Sequence, residues 1–189
     1  MSSAPRSDLP LGVAFPWLTL ALDQTDKIAA IVPEDKLEWR LSDPSGKWHF
    51  SLAEIVMHCA DARRLFARMM SGLERPDDYT SPGPSENGVW SFRPYQSKQA
   101  ILDDLAAARE ELRPWLERPL AEAMTVVDPT RATWEQNLAR MKEKEMDTAV
   151  EELRGTPSIL RVLMGCVVHE TGHRASLQTL LRMHGVNLS

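Results

Sequence analysis

The stretch from Thr156 to Gly185 constrains the fold most, because it has the pattern of one long and mostly buried helix. Thr156 can act as the N-cap, since its hydroxyl can accept a hydrogen bond from a first-turn N–H, and Pro157 suits the first helical position. Gly185 stands where a left-handed residue would end the helix. Apolar residues recur at three- and four-residue spacing: Ile159, Leu160, Leu163, Val167, Leu177, Leu180 and Leu181. The pattern predicts a helix with one broad apolar face.

This helix contains two histidines, His169 and His173, four residues apart. Side chains at this spacing lie on one face of a helix, about one turn apart, so two imidazole nitrogens can bind one metal ion. The alternative is a pair of hydrogen-bonded core histidines, although two neutral imidazoles in apolar surroundings are costly without partners. A third ligand elsewhere in the chain would decide between the two interpretations.

The rest of the chain predicts an all-α protein of one domain. Its 189 residues suit a single domain with a sizeable core, and the chain has no sustained apolar/polar alternation of the kind that predicts strands. Amphipathic patterns predict further helices over residues 16–32, 51–73, 97–116 and 129–153. Residues 1–13 are expected to form a poorly ordered or extended lead-in, and residues 74–96 a long irregular loop.

Local sequence signals set the expected limits of two of these helices. Ser51 and Glu54 form a capping box, in which each side chain bonds the backbone N–H of the other residue. Ser97 is expected to cap the helix that follows the long loop. Pro114 is expected to kink that helix, or to end it near Arg113.

Charge and hydropathy exclude two classes of partner. The net charge is −5 and the basic residues are scattered among acids, which argues against a nucleic-acid surface. No apolar run approaches the ~18 residues that span a bilayer. Without a signal peptide, Cys59 and Cys166 are interpreted as buried free thiols of a cytoplasmic protein, although a disulfide between them stays open. The expected partner is a small-molecule substrate, and an apolar helix face would allow a homodimer.

His58 is the best candidate for a third metal ligand. It borders the apolar stripe of the helix over residues 51–73, where a histidine taken alone is more often a satisfied core residue. The histidine pair elsewhere in an all-α chain favours the ligand interpretation. His49 and His184 are poor candidates, because His49 precedes this helix and His184 lies about three turns beyond His173.

The pentad from His169 to His173 also matches H-E-x-x-H, the zinc peptidase signature in which the glutamate, here Glu170, is the general base. The sequence around it opposes that interpretation. Ser176 and Thr179 stand where a longer form of the motif requires a glycine and a third histidine. Only 16 residues follow His173, and the chain offers no strand to hold a peptide. A zinc peptidase is therefore a distant alternative.

The chain resembles the DinB-like superfamily in two features. It has a histidine in the middle of an early helix, and a late helix carries H-x-x-x-H-R followed by the tail L-x-x-x-L-R-x-x-G. That superfamily includes transferase and isomerase domains that use low-molecular-weight thiols such as bacillithiol and mycothiol. The resemblance implies a four-helix bundle in up-down-down-up order, with residues 74–96 as a crossover. The predicted helix near 130–153 goes beyond this minimal bundle. It also implies a divalent metal, zinc or nickel, bound by His58, His169 and His173.

Three histidine ligands leave a fourth position open, as in catalytic sites, so the resemblance implies a metal-dependent enzyme. It would activate a low-molecular-weight thiol as an S-transferase, or water as a hydrolase. Glu170 or Ser176 could orient water or substrate, and Ser176 points nearer to the metal face. Arg174 could hold a carboxylate or support the end of the bundle. One departure is that many members continue H-R-G-Q-L, where this chain has H-R-A-S-L. The alternative is a non-enzymatic stress-response bundle or dimeric binding module.

Overall fold

The computed structural model describes residues 7–41, 49–71, 94–125, 127 and 158–188. Within these residues it contains five α-helices: α1 Leu11–Ala14, α2 Pro16–Ile31, α3 Leu52–Ser71, α4 Lys98–Leu116 and α5 Ile159–Met183. Two single-turn 3₁₀ helices lie at Glu34–Lys36 and Leu120–Glu122. The described residues contain no strand, only two isolated bridges. The predicted all-α fold class is confirmed.

The predicted caps at the starts of α3 and α4 are confirmed. The backbone N–H of Ser51 donates to Oε2 of Glu54 at 2.7 Å, and the N–H of Glu54 donates to Oγ of Ser51 at 3.2 Å. Oγ of Ser97 accepts from the N–H of Ala100 at 3.1 Å. Each cap satisfies N–H groups that the first turn of a helix leaves without an intrahelical partner.

The histidine helix begins later than the sequence predicts and ends where it predicts. Oγ of Ser158 accepts from the N–H of Arg161 at 3.3 Å, so Ser158 is the N-cap and the prediction of Thr156 is wrong. Both residues have a capping hydroxyl, and the extended backbone of Ser158 places the boundary two residues further on. At the other end Gly185 has a φ of +72°, and the N–H of Val186 reaches the carbonyl of Leu181 at 3.0 Å. This is a Schellman motif.

Two clusters of buried residues give the direction of each helix. One cluster joins the C-terminal halves of α2 and α5 to the N-terminal halves of α3 and α4, and the other joins the opposite halves. Helices α2 and α5 therefore run one way and α3 and α4 the other, which confirms the up-down-down-up order. Parallel α3 and α4 require a crossover between them. Residues 74–93 of the predicted crossover, and the predicted helix near 130–153, lie outside the described residues.

The structure corrects the expected lead-in over its described residues and excludes an early end of α4 near Arg113. Residues 7–13 belong to the bundle rather than to a loose lead-in: Leu11 is fully buried, and its N–H donates to the carbonyl of Arg118 at 2.8 Å. Helix α4 also continues through Pro114 to Leu116. A proline in the last turn removes only one backbone hydrogen bond near a helix end that is already incomplete.

No helix in the described part of the chain is long and apolar enough to cross a bilayer.

Candidate metal centre

Helices α3 and α5 bring together His58, His169 and His173, the three residues predicted as metal ligands. One ring nitrogen from each lies within 4.8 Å of the other two. Nε2 of His169 lies 2.9 Å from Nε2 of His58. The ring centroids of His169 and His173 are 4.4 Å apart, and those of His58 and His173 are 4.6 Å apart. The i, i+4 pair on α5 thus faces the single histidine of α3.

These distances fit a divalent metal. Zinc binds imidazole nitrogen at about 2.0–2.1 Å in tetrahedral geometry, which sets neighbouring ligand nitrogens roughly 3.4 Å apart. The nitrogen separations here, 2.9 Å at one contact and none above 4.8 Å, bracket that value. Three imidazoles suit zinc, nickel, copper or iron better than magnesium or calcium, which prefer oxygen ligands.

Burial keeps the histidines of α5 in the neutral form that binds metal. It lowers the pKa of His173 to about 4. Burial, reinforced by the neighbouring His173 and His58, lowers the pKa of His169 well below the ordinary value of 6.5. Both imidazoles are therefore neutral at pH 7, and their nitrogens need not lose a proton to bind a cation.

Aromatic rings form part of the wall around the three histidines. The ring of Phe50 lies 5.4 Å from that of His58 and 6.3 Å from that of His173, and the ring of Phe66 lies 6.2 Å from that of His169. Phe66 fits because residue 165, one turn before His169, is glycine: a Cβ there would lie 3.3 Å from Cε1 of Phe66. The rings hold the imidazoles in place by packing.

The structure does not place Glu170 beside the histidines. Its carboxylate makes a bidentate ion pair with Arg63, with Nε 2.8 Å from Oε1 and Nη2 3.1 Å from Oε2, and both side chains are 0% exposed. Residues adjacent in a helix point about 100° apart, which turns Glu170 towards the bundle core while His169 faces the metal side. A carboxylate held in this way is a structural ion-pair partner rather than a free base.

Arg63 contacts three other helices through this one guanidinium. Nη1 lies 2.8 Å from Oδ1 of Asp26 and 3.2 Å from the carbonyl of Leu105, and Nη2 lies 3.5 Å from the carbonyl of Leu22. With the two bonds to Glu170, the guanidinium donates four hydrogen bonds, and the contact with Asp26 is an ion pair. The neighbouring Glu170 and Asp26 raise the pKa of Arg63 further, although burial opposes this, so the charge is permanent.

Arg63 is not predicted from the sequence as a site residue, although a signal was present. It lies four residues after Cys59 and three before Phe66, within the predicted apolar stripe of α3. A charged residue on a buried stripe needs a partner, because an unpaired buried charge is very costly. The identity of that partner, 107 residues away in Glu170, could not be read from local sequence.

A cleft with a volume of about 500 Å³ adjoins the centre at His173. The described residues that line it are Leu41, His49, Phe50, Ile55, His173, Ala175, Ser176, Thr179 and Leu180. Ser176, predicted to face the metal side, is exposed to this cleft, and its hydroxyl donates to the carbonyl of Gly172 at 3.2 Å. His49 is not part of the three-nitrogen group but lies in the cleft wall beside His173, which the sequence did not predict.

The remaining polar candidates lie outside the centre. Arg174 donates to Oε1 of Gln24 and so ties α5 to α2, in keeping with a role in supporting the bundle. His184 packs edge-on against Trp39, with ring centroids 3.7 Å apart. Neither residue belongs to the three-nitrogen group or to the described lining of the cleft.

Cys59 and Cys166 are buried and free, so no disulfide joins them. Burial raises the pKa of both thiols, and the charge of Glu170 raises it further. At neutral pH both therefore remain protonated and unreactive, since the thiolate is the nucleophilic form. The protein's own cysteines supply no thiolate to the centre.

Comparison with protein families finds a match between residues 18–177 and the family model described as the DinB superfamily. The match begins in α2, ends in α5 and includes all three clustered histidines. No curated protein and no solved structure matches the chain significantly.

Proposed function

The chain belongs to the DinB superfamily, and from that premise we propose that it is a divalent-metal-dependent enzyme acting on a low-molecular-weight thiol and a small electrophile. The observation that supports this most is the meeting of three imidazole nitrogens within 4.8 Å beside a cleft. His58, His169 and His173 are the proposed ligands, and zinc or nickel the proposed metal. When bound, the metal would supply the positive charge that lowers the pKa of a thiol or of water.

The charges around the centre favour an anionic co-ligand such as a thiolate. The proposed protein ligands are neutral imidazoles, so they leave the charge of a divalent cation uncompensated. Glu170, the one buried acidic residue in the described part of the chain, is already neutralised by Arg63 at 2.8 Å. Three protein ligands leave a fourth position for an exogenous group. A thiolate there would bring a charge that the described residues do not provide.

The cleft suits a small substrate with an apolar body. Leu41, Phe50 and Leu180 supply apolar wall. The hydroxyls of Ser176 and Thr179 donate to their own helix, to the carbonyls of Gly172 and Ala175, which leaves their oxygen lone pairs facing outward as acceptors. Ser176 is therefore proposed to orient the substrate by accepting a hydrogen bond from it.

The zinc peptidase alternative has less support than it had from the sequence. Glu170, the residue that would be its base, is held by Arg63, and the described part of the chain has no strand on which a peptide could pair. A hydrolase would use the same histidines and cleft, with water in place of the thiol. A non-enzymatic bundle would bind metal and turn over nothing.

An assay of thiol conjugation tests the proposed thiol transfer. Zinc- or nickel-loaded protein would be incubated with monochlorobimane and a panel of small thiols, using His58→Ala as the test variant and His184→Gln as a histidine control outside the centre. We expect thiol-dependent turnover in the wild type and the control, and its loss in His58→Ala. Full metal loading without turnover of any thiol would contradict the proposed thiol transfer and leave the hydrolase and the non-enzymatic bundle.

A further inference from the structure

We infer that the ion pair between Arg63 and Glu170 positions the histidines of the metal centre, an inference that rests on the proposed function. Glu170 lies between His169 and His173 in α5, and Arg63 lies five residues after His58 in α3. The pair therefore joins the same two helices that present the histidines, within about two turns of each of them. Neither residue would touch the metal, so both would act through the histidines.

The geometry of the pair fixes how α5 sits on α3. Both oxygens of Glu170 are engaged, at 2.8 and 3.1 Å, and Arg63 is itself anchored to the carbonyls of Leu22 and Leu105. A slip of α5 by one residue, about 1.5 Å along its axis and 100° around it, would separate two fully buried charges. The same slip would turn His169 and His173 away from His58. One registration of the helices therefore satisfies the ion pair and assembles the centre.

His169 depends on this registration because its second ring nitrogen, Nδ1, has no hydrogen bond that would orient the ring. Metal-binding histidines ordinarily donate the N–H of the second ring nitrogen to a carboxylate or carbonyl. Nδ1 of His169 is buried and has no hydrogen-bond partner among the described residues. Apart from the contact between its Nε2 and His58, its orientation comes from packing against Phe66 and from the position of the helix that Glu170 holds.

Positioning can be tested against a direct effect of the two charges on the metal, because the two explanations predict different metal affinities for the variants. If the two residues acted on the metal only through their charges, Glu170→Gln would weaken cation binding and Arg63→Gln would strengthen it. If they act by positioning, both variants weaken binding. The double variant Arg63→Gln/Glu170→Gln leaves no buried unpaired charge, which protects its folding, and positioning predicts weaker binding there as well.

The experiment titrates Co²⁺ into the wild type, the two single variants and the double variant, and records the visible absorption of the bound metal. Supporting residues around metal ligands are typically worth about 10- to 100-fold in affinity, and we expect a loss of about tenfold with an altered spectrum. Leu11→Ala is the control, because it removes a fully buried side chain packed where α4 ends and so loosens the bundle away from the centre. It should leave affinity and spectrum unchanged.

The outcomes separate this inference from the proposed function. Opposite signs in the two single variants, or wild-type affinity and spectrum in the double variant, would overturn positioning. So would an equal loss of affinity in Leu11→Ala, which would make binding a reflection of global stability. Two other outcomes would overturn the proposed function and this inference with it. One is a wild type that binds no metal, and the other is a His58→Ala variant that binds metal as tightly as the wild type.

Discussion

Nε2 of His169 lies 2.9 Å from Nε2 of His58, although 111 residues separate them in the chain. Two imidazoles at this distance share a single hydrogen bond, so one nitrogen donates and the other accepts. A metal ion would replace that hydrogen bond with two coordinate bonds and draw in His173, whose nitrogen lies within 4.8 Å of both.

Stability of the metal-free protein should fall as the pH drops below about 6.5. The unfolded chain protonates His173 near its ordinary pKa of 6.5, whereas the folded protein holds that pKa at about 4. Between these values the unfolded state binds more protons, so acid favours unfolding by up to about 1.4 kcal/mol per pH unit for each such histidine. Urea denaturation at pH 7.5 and pH 5 measures this, and His173→Gln should reduce the difference. An equal midpoint at both pH values would contradict the buried neutral histidine.

Loss of one partner of the buried ion pair should be among the most destabilising changes in the protein. Arg63→Met leaves Glu170 charged in the core, and breaking a buried pair in this way costs about 3–5 kcal/mol. Arg113→Met is the matched control, because Arg113 pairs with Glu110 at 2.7 Å while both side chains are about 60% exposed. An exposed pair of that kind contributes at most about 1 kcal/mol. Urea denaturation of the two variants should show that difference, and similar losses in both would argue against it.

Two glycines of α5 should respond differently to alanine. A Cβ at Gly172 meets nothing within 4 Å, so Gly172→Ala should stabilise the helix by about 0.5–1 kcal/mol and leave metal binding intact. A Cβ at Gly165 would lie 3.3 Å from Phe66, so Gly165→Ala should gain less, and Gly165→Val should displace Phe66 and weaken metal binding. Thermal denaturation with and without zinc measures both effects. Equal gains from the two alanine variants would contradict the packing of Phe66 on α5.

Filling the cleft should abolish turnover without removing the metal. Ser176→Phe places an aromatic ring in the wall beside His173, whereas Thr171→Phe places the same ring at an exposed position of α5 outside the described lining. We expect full metal content in both variants and loss of thiol-dependent turnover in Ser176→Phe alone. Normal turnover in Ser176→Phe would show that substrate binds elsewhere.

Local chemistry allowed much of the fold to be predicted. Three helix ends depend on only a few neighbouring residues, so the local sequence is enough to predict them. They are the capping box of Ser51 and Glu54, the cap at Ser97 and the left-handed Gly185. The start of α5 was misplaced because Thr156 and Ser158 are both good caps, and local sequence does not rank them. The bundle order came from the family resemblance.

The candidate centre was only partly predictable. The spacing of His169 and His173 defines a shared face, and His58 followed from the second histidine-bearing helix, so all three could be named. The roles of Glu170 and His49 could not be inferred in that way. Glu170 looks like a base in the H-E-x-x-H motif, and only the packing of four helices reveals Arg63 as its partner. His49 enters the cleft wall through the chain that leads into α3, which has no periodic pattern.

Metal content measured by mass spectrometry tests the three-histidine centre most directly, on protein purified without a nickel column and supplied with zinc or nickel. Wild type and His58→Ala would be compared, because His58 is the only one of the three proposed ligands on α3. We predict close to one metal per chain in the wild type and its loss in His58→Ala. A wild type without metal, or metal retained in full by His58→Ala, would contradict a centre built from α3 and α5.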